Sequence, residues 1–101
     1  MAKKEKGKKI NLVCDARLDK YFSISDKAIK EAKKHIVKSR EKDALAVLDM
    51  ASRYLSDAEY FRKKGDYVNA FAAVNYAHGW IDAGSRLGLF DVSDSNLFVV
   101  K

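Results

Sequence analysis

The chain has 101 residues, 48% hydrophobic and 34% charged, with no proline, one cysteine and a formal net charge of +6. A chain of this length closes one hydrophobic core and not two, and its 11% aromatic content excludes a disordered polypeptide. Cys14 alone can form neither an internal disulfide nor a cysteine-based zinc site, so a reducing, cytoplasmic setting is expected.

The basic character belongs to the first 42 residues. Residues 1 to 9 hold five lysines and Glu5, residues 15 to 42 hold nine Lys and Arg against five acids, and residues 43 to 101 hold six against eight. Residues 1 to 14 read as a flexible basic leader. Its lysines could hold phosphate by displacing counterions from nucleic acid, although no aromatic residue is interleaved with them. Ile10, Leu12, Val13 and Cys14 are too short an apolar run for a secretory signal. No stretch reaches the roughly 20 apolar residues needed to span a membrane.

The spacing predicts three helices. Over about 17 to 37, Leu18, Tyr21, Phe22, Ala28, Ile29, Ala32 and Ile36 recur every three or four positions, with Lys20, Lys27, Lys30 and Lys34 on the other side. A second helix, about 40 to 64, has Ser39 as its expected N-cap, Glu41 in its first turn and an apolar arc from Ala44 to Phe61. Arg62, Lys63, Lys64 and then Gly65 are a strong stop signal. Asp66 can cap a third helix over about 66 to 87, so the second and third helices must form a tight hairpin.

The third helix carries two adjacent stripes, a bulky one (Tyr67, Phe71, Val74, His78, Ile81) and a small-residue one (Ala70, Ala73, Ala77, Gly84). Its third side, with Val68, Ala72, Asn75, Gly79 and Ala83, is not properly polar either, and Asp82 is the only charge between Asp66 and Arg86. Two partner helices cannot cover three sides. The apolar C-terminal segment, residues 89 to 101, or another molecule is therefore expected to shelter the third.

Asn75, His78 and Asp82 form a polar line at i, i+3 and i+7, with Arg86 a turn further on. Gly79 and Gly84, beside Trp80, point to a close backbone approach. Asn75, His78, Gly79, Trp80, Asp82 and Arg86 together make the candidate binding surface. His78 and Asp82 read either as a pair orienting an imidazole toward a ligand or as partners satisfying one another inside a packed interface. Asp57, Tyr60 and Tyr76 form a second cluster that the hairpin would bring level, read as packing residues. No phosphate loop, recognisable nucleophile or metal-ligand spacing is present, so catalytic residues, metal and cofactor are all expected to be none.

The run from Tyr54 to Gly88, with its Tyr76-Ala77-His78-Gly79-Trp80 core followed by Asp82, Ala83 and Gly84, resembles the signature of a small archaeal family, the domain of unknown function 357. The likeness extends over about 40 to 85 and implies an all-α, three-helix up-and-down bundle with no assigned activity, cofactor or ligand. Ala58, Tyr60, Gly65, Tyr67 and Ala70 are also similar to tetratricopeptide-type hairpins. Those repeats occur in arrays, and one unit here points to shared hairpin packing. The function expected is a non-enzymatic interaction or self-association module, with a nucleic-acid accessory role as the alternative.

Overall fold

The structure, a computed structural model, describes residues 12–93 and 97–98. Residues 1–11 of the basic leader and residues 94–96 and 99–101 of the C-terminal segment lie outside the described residues. The fold is all-α, with α1 over Asp15–Lys34, a 3-10 turn over Lys38–Arg40, α2 over Glu41–Lys63 and α3 over Tyr67–Arg86. The apolar face of α1 turns inward as its spacing dictates, burying Leu18, Ala28, Ile29 and Ala32, and Ser25 with them.

Two boundaries differ from the periodicity. α1 stops at Lys34 rather than near Val37, because the backbone beyond it bonds to the C-terminal segment. Val37 N–H donates to Leu89 O at 2.9 Å, Asp91 N–H donates to His35 O at 2.8 Å, and Ile36 and Phe90 form an isolated antiparallel bridge. Ser39 lies inside the 3-10 turn and does not cap α2; Arg40 holds the N-cap position without a side-chain bond. Arg40 instead reaches across to donate to Leu87 O, 3.1 Å away, at the carbonyl end of α3, where a cation is favoured.

The α2–α3 hairpin closes with a Schellman motif. Gly65, at φ +80°, donates to Arg62 O and Asp66 N–H donates to Phe61 O, both at 2.9 Å. Asp66 then caps α3 by accepting from Asn69 N–H. The same device recurs at Gly88, φ +78°, where Gly88 N–H bonds Ser85 O and Leu89 N–H bonds Gly84 O. This second turn folds the chain back over the end of the bundle. Leu89, Phe90 and Phe98 are 2–3% exposed there and join one cluster with Ile29, Ala32, Ala44, Leu48 and Ile81. The described part of the C-terminal segment, residues 89–93 and 97–98, thus closes an end, where α1, α2 and α3 meet.

At the opposite end a polar latch ties the first turn of α1 to the hairpin. Asp15 Oδ1 accepts from the Tyr67 hydroxyl and from Arg62 Nη2 at 3.1 Å, and the same Nη2 lies 2.7 Å from Asp19 Oδ1. The Arg62 guanidinium also sits 5.6 Å from the Phe22 ring centroid. The Tyr67 hydroxyl, and then Arg62, hold the Asp15 carboxyl below the usual carboxylate range. Donation to Asp15 pushes the Tyr67 phenol above the usual tyrosine range.

These shifts predict stability lost at both pH extremes. Asp15, lowered in the fold, contributes stability that disappears as pH falls below about 4, and Tyr67, raised in the fold, contributes stability that disappears as pH rises above about 10. Denaturant titrations across this range on the wild type and Tyr67→Phe should differ most between these limits and converge at the alkaline one. A constant difference at every pH would refute the latch.

Candidate functional site

The two stripes of α3 are each taken by one neighbouring helix. α1 covers the bulky stripe: Tyr21 meets Phe71 edge-on with centroids 5.3 Å apart, and Ser25 reaches His78. α2 closes on the small-residue stripe, where a Cβ on Gly84 would lie 3.2 Å from Val47 Cγ1 and 2.6 Å from Phe90 Cε2. Ala70, Val74, Ala77 and Ile81 are fully buried between these neighbours.

Among the described residues, nothing shelters the third side. Val68 is 67% exposed, Tyr76 57% and Leu87 65%, and Ala72, Asn75, Gly79 and Ala83 are exposed between them. Of the C-terminal segment expected to cover this side, the described residues 89–93 and 97–98 do not, since the turn at Gly88 and the backbone bonds to His35 and Val37 hold them at the bundle end, and the rest lies outside the described residues. Gly84 admits the close approach expected of both glycines. Among the described residues, a Cβ on Gly79 would meet nothing within 4 Å.

This open face is shaped. Tyr76 is held against Tyr54, with rings nearly perpendicular and centroids 4.5 Å apart, and stands as a ridge between two depressions. One, of about 210 Å³, is lined by Tyr76, Gly79, Trp80 and Ala83. The other, of about 290 Å³, is lined by Tyr54, Asp57, Phe61, Asn69, Ala72, Ala73 and Tyr76. Tyr60 does not join Asp57 and Tyr76. It is 58% exposed, with its ring against Phe61 and Lys64.

The six candidate residues therefore divide. Asn75, Gly79 and Arg86 are exposed on the open side and Trp80 is half-buried at its α2 edge. His78 and Asp82 are half-buried at the α1 edge, with Nε2 and Oδ1 3.6 Å apart. His78 Nδ1 shares a hydrogen bond with Ser25 Oγ at 3.2 Å. Serine, histidine and aspartate in line invite comparison with a nucleophilic triad, but Ser25 is 2% exposed, and acyl transfer needs a hydroxyl that a substrate carbonyl can reach beside oxyanion donors. The Ser25–His78 hydrogen bond joins α1 to α3, and the His78–Asp82 contact lies within α3. Ser25 had a signal in the sequence: it stands seven residues from both Leu18 and Ala32, a core register.

Among the described residues no group of three or more His, Cys, Asp or Glu could hold a metal ion, and no helix is long and apolar enough to cross a membrane. Lys20, Lys27, Lys30 and Lys34 are exposed along α1, and Lys30 is paired with Asp26 at 3.0 Å.

A family model described as "Protein of unknown function (DUF357)" matches residues 20–90, a span running from the first turns of α1 to the buried Phe90. No match was found among the curated proteins or among the solved structures.

Proposed function

The chain belongs to the DUF357 family of proteins of unknown function, and from the geometry above we propose that it is a non-enzymatic interaction module receiving a protein partner on the open face of α3. The observation that carries this reading is the exposure of Val68, Tyr76 and Leu87 on a helix whose open side is nearly free of charge. Exposed, contiguous apolar surface of this kind marks association sites, and a polar-walled catalytic pocket would need groups that α3 instead uses to hold α1. The free, exposed Cys14 suits a reducing, cytoplasmic compartment.

The test is a photo-crosslinking residue placed at position 72, and separately at position 30 on the lysine side of α1, in the full chain in its native cell. Adducts with protein from position 72 and not from position 30 are expected. Equal labelling from both, or none from 72, would overturn the reading. The alternative, nucleic-acid association through the leader and the α1 lysines, draws on the exposed Lys27, Lys30 and Lys34. It requires affinity for mixed RNA that falls steeply with salt, and no binding at low salt would dismiss it.

A further inference from the structure

We infer that the depression between Tyr54, Asp57 and Tyr76 binds the guanidinium of an arginine side chain presented by a protein partner. This inference rests on the interaction reading above and names the group that anchors the partner.

The site begins with a carboxylate left over by its own chain. Asp57 is exposed in the interior of α2, where aspartate is a poor helix former and caps nothing. Among the described residues it makes no ion pair and no side-chain hydrogen bond. The cation one turn before it, Arg53, is held by Asp49 at 2.9 Å. Arg62 is held by Asp15 and Asp19, and Lys64 lies over the Tyr60 ring.

Aromatic rings flank the carboxylate instead. Tyr54, Asp57 and Phe61 follow at i, i+3 and i+7 on one face of α2, and α3 sets Tyr76 against them. The Tyr54 and Tyr76 rings meet at 87° with centroids 4.5 Å apart, so they form a corner. Phe61 and Asn69 line the same depression of about 290 Å³. Asn69 adds an acceptor, because its amide nitrogen is engaged with Asp66 Oδ2 at 2.7 Å and its carbonyl oxygen is left over.

The chemistry of this lining selects its occupant. An apolar side chain would bury the carboxylate without a partner, and an anion would be repelled by it. A quaternary ammonium suits the rings but offers no N–H to Asp57 or Asn69. An alkylammonium donates, yet it is a compact and strongly hydrated charge. Guanidinium is flat and more weakly hydrated, so it stacks on a ring while donating in its own plane to a carboxylate. Arginine and tyrosine are also the residue types that dominate binding energy at protein interfaces.

The surrounding charge agrees. The positive charge is concentrated in the first 42 residues, whereas residues 43 to 101, which build α3 and nearly all of α2, hold six Lys and Arg against eight acids. A cation arriving at Asp57 meets the acidic part of the chain.

The experiment is an NMR titration of the isotope-labelled full chain with N-acetyl-arginine methylamide and, in parallel, with its citrulline and lysine counterparts. Citrulline keeps the shape of arginine without the charge. Expected is saturable millimolar binding of the arginine compound, centred on Ala72, Ala73 and Tyr76, and weaker binding of the other two. Asp57→Asn should weaken arginine binding by about fivefold, the upper end for an exposed ion pair, and leave the melting temperature level. No saturable binding, citrulline or lysine binding as tightly as arginine, or an Asp57→Asn chain that binds unchanged would each overturn the inference. In the native cell, adducts from the crosslinker at position 72, which lines the same depression, should fall in the Asp57→Asn chain. Adducts undiminished by Asp57→Asn would fail this inference alone; no adduct with either chain would fail the interaction reading as well.

Discussion

Replacing Phe90 with alanine should destabilise the bundle by about 3–5 kcal/mol, the loss seen when a buried aromatic leaves a cavity that its neighbours cannot fill. Phe90 is 3% exposed and lies in one cluster with residues from all three helices. Its backbone bridges Ile36, and the bonds on either side join Val37 to Leu89 and His35 to Asp91. Collapse of the site is opposed because those bonds hold the segment in place on both sides. A loss of this size is a large part of the total stability of a small domain, and deleting residues 89 to 101 should exceed it. Urea denaturation followed by helix ellipticity measures both. A loss below about 1 kcal/mol for Phe90→Ala would mean that the end of the bundle is closed by something else.

The second large effect is expected at Gly84, and its sign separates the two glycines of α3. An alanine Cβ there would stand 2.6 Å from Phe90 Cε2 and 3.2 Å from Val47 Cγ1. The Phe90 ring is buried in the core cluster, so it cannot swing aside as an exposed chain end would. Overpacking of this kind costs about 1–3 kcal/mol, partly offset by the better helix propensity of alanine, about 1 kcal/mol. Gly84→Ala should therefore lose up to about 2 kcal/mol. Gly79→Ala, with open space around its Cβ, should gain up to about 1 kcal/mol. Thermal and urea melts of both variants decide the matter. Equal effects at the two positions would contradict the packing described here.

Much of the fold was legible because local signals coincide. Lys63, Lys64, Gly65 and Asp66 carry stop, left-handed turn and cap in succession, and each is satisfied by neighbours within a few residues. The end of α1 was not legible. Ile36 continues the apolar period, yet the backbone of His35 and Val37 on either side of it bonds to a segment more than fifty residues away, and no local pattern reports such a partner. Ser39 failed as a cap for a related reason, since the 3-10 turn before α2 places Arg40 at the helix start.

The candidate site was legible in composition and not in arrangement. A rotation of 100° per residue puts Tyr76 beside Ala72 and Ala83, so its place on the open face was available from spacing alone. That His78 would turn to Ser25 required knowing that α1 runs alongside α3 at that level.

Spacing, charge and turn residues by themselves determined three helices, the hairpin about Gly65 and the unusual lack of charge on α3, because helix geometry and capping act over a few residues. Only the tertiary structure decided which of the three sides of α3 stays open. That outcome depends on where the chain after Gly88 is sent, and a backbone turn combined with hydrogen bonds to the end of α1 sends it across the bundle end, leaving Val68, Tyr76 and Leu87 facing water.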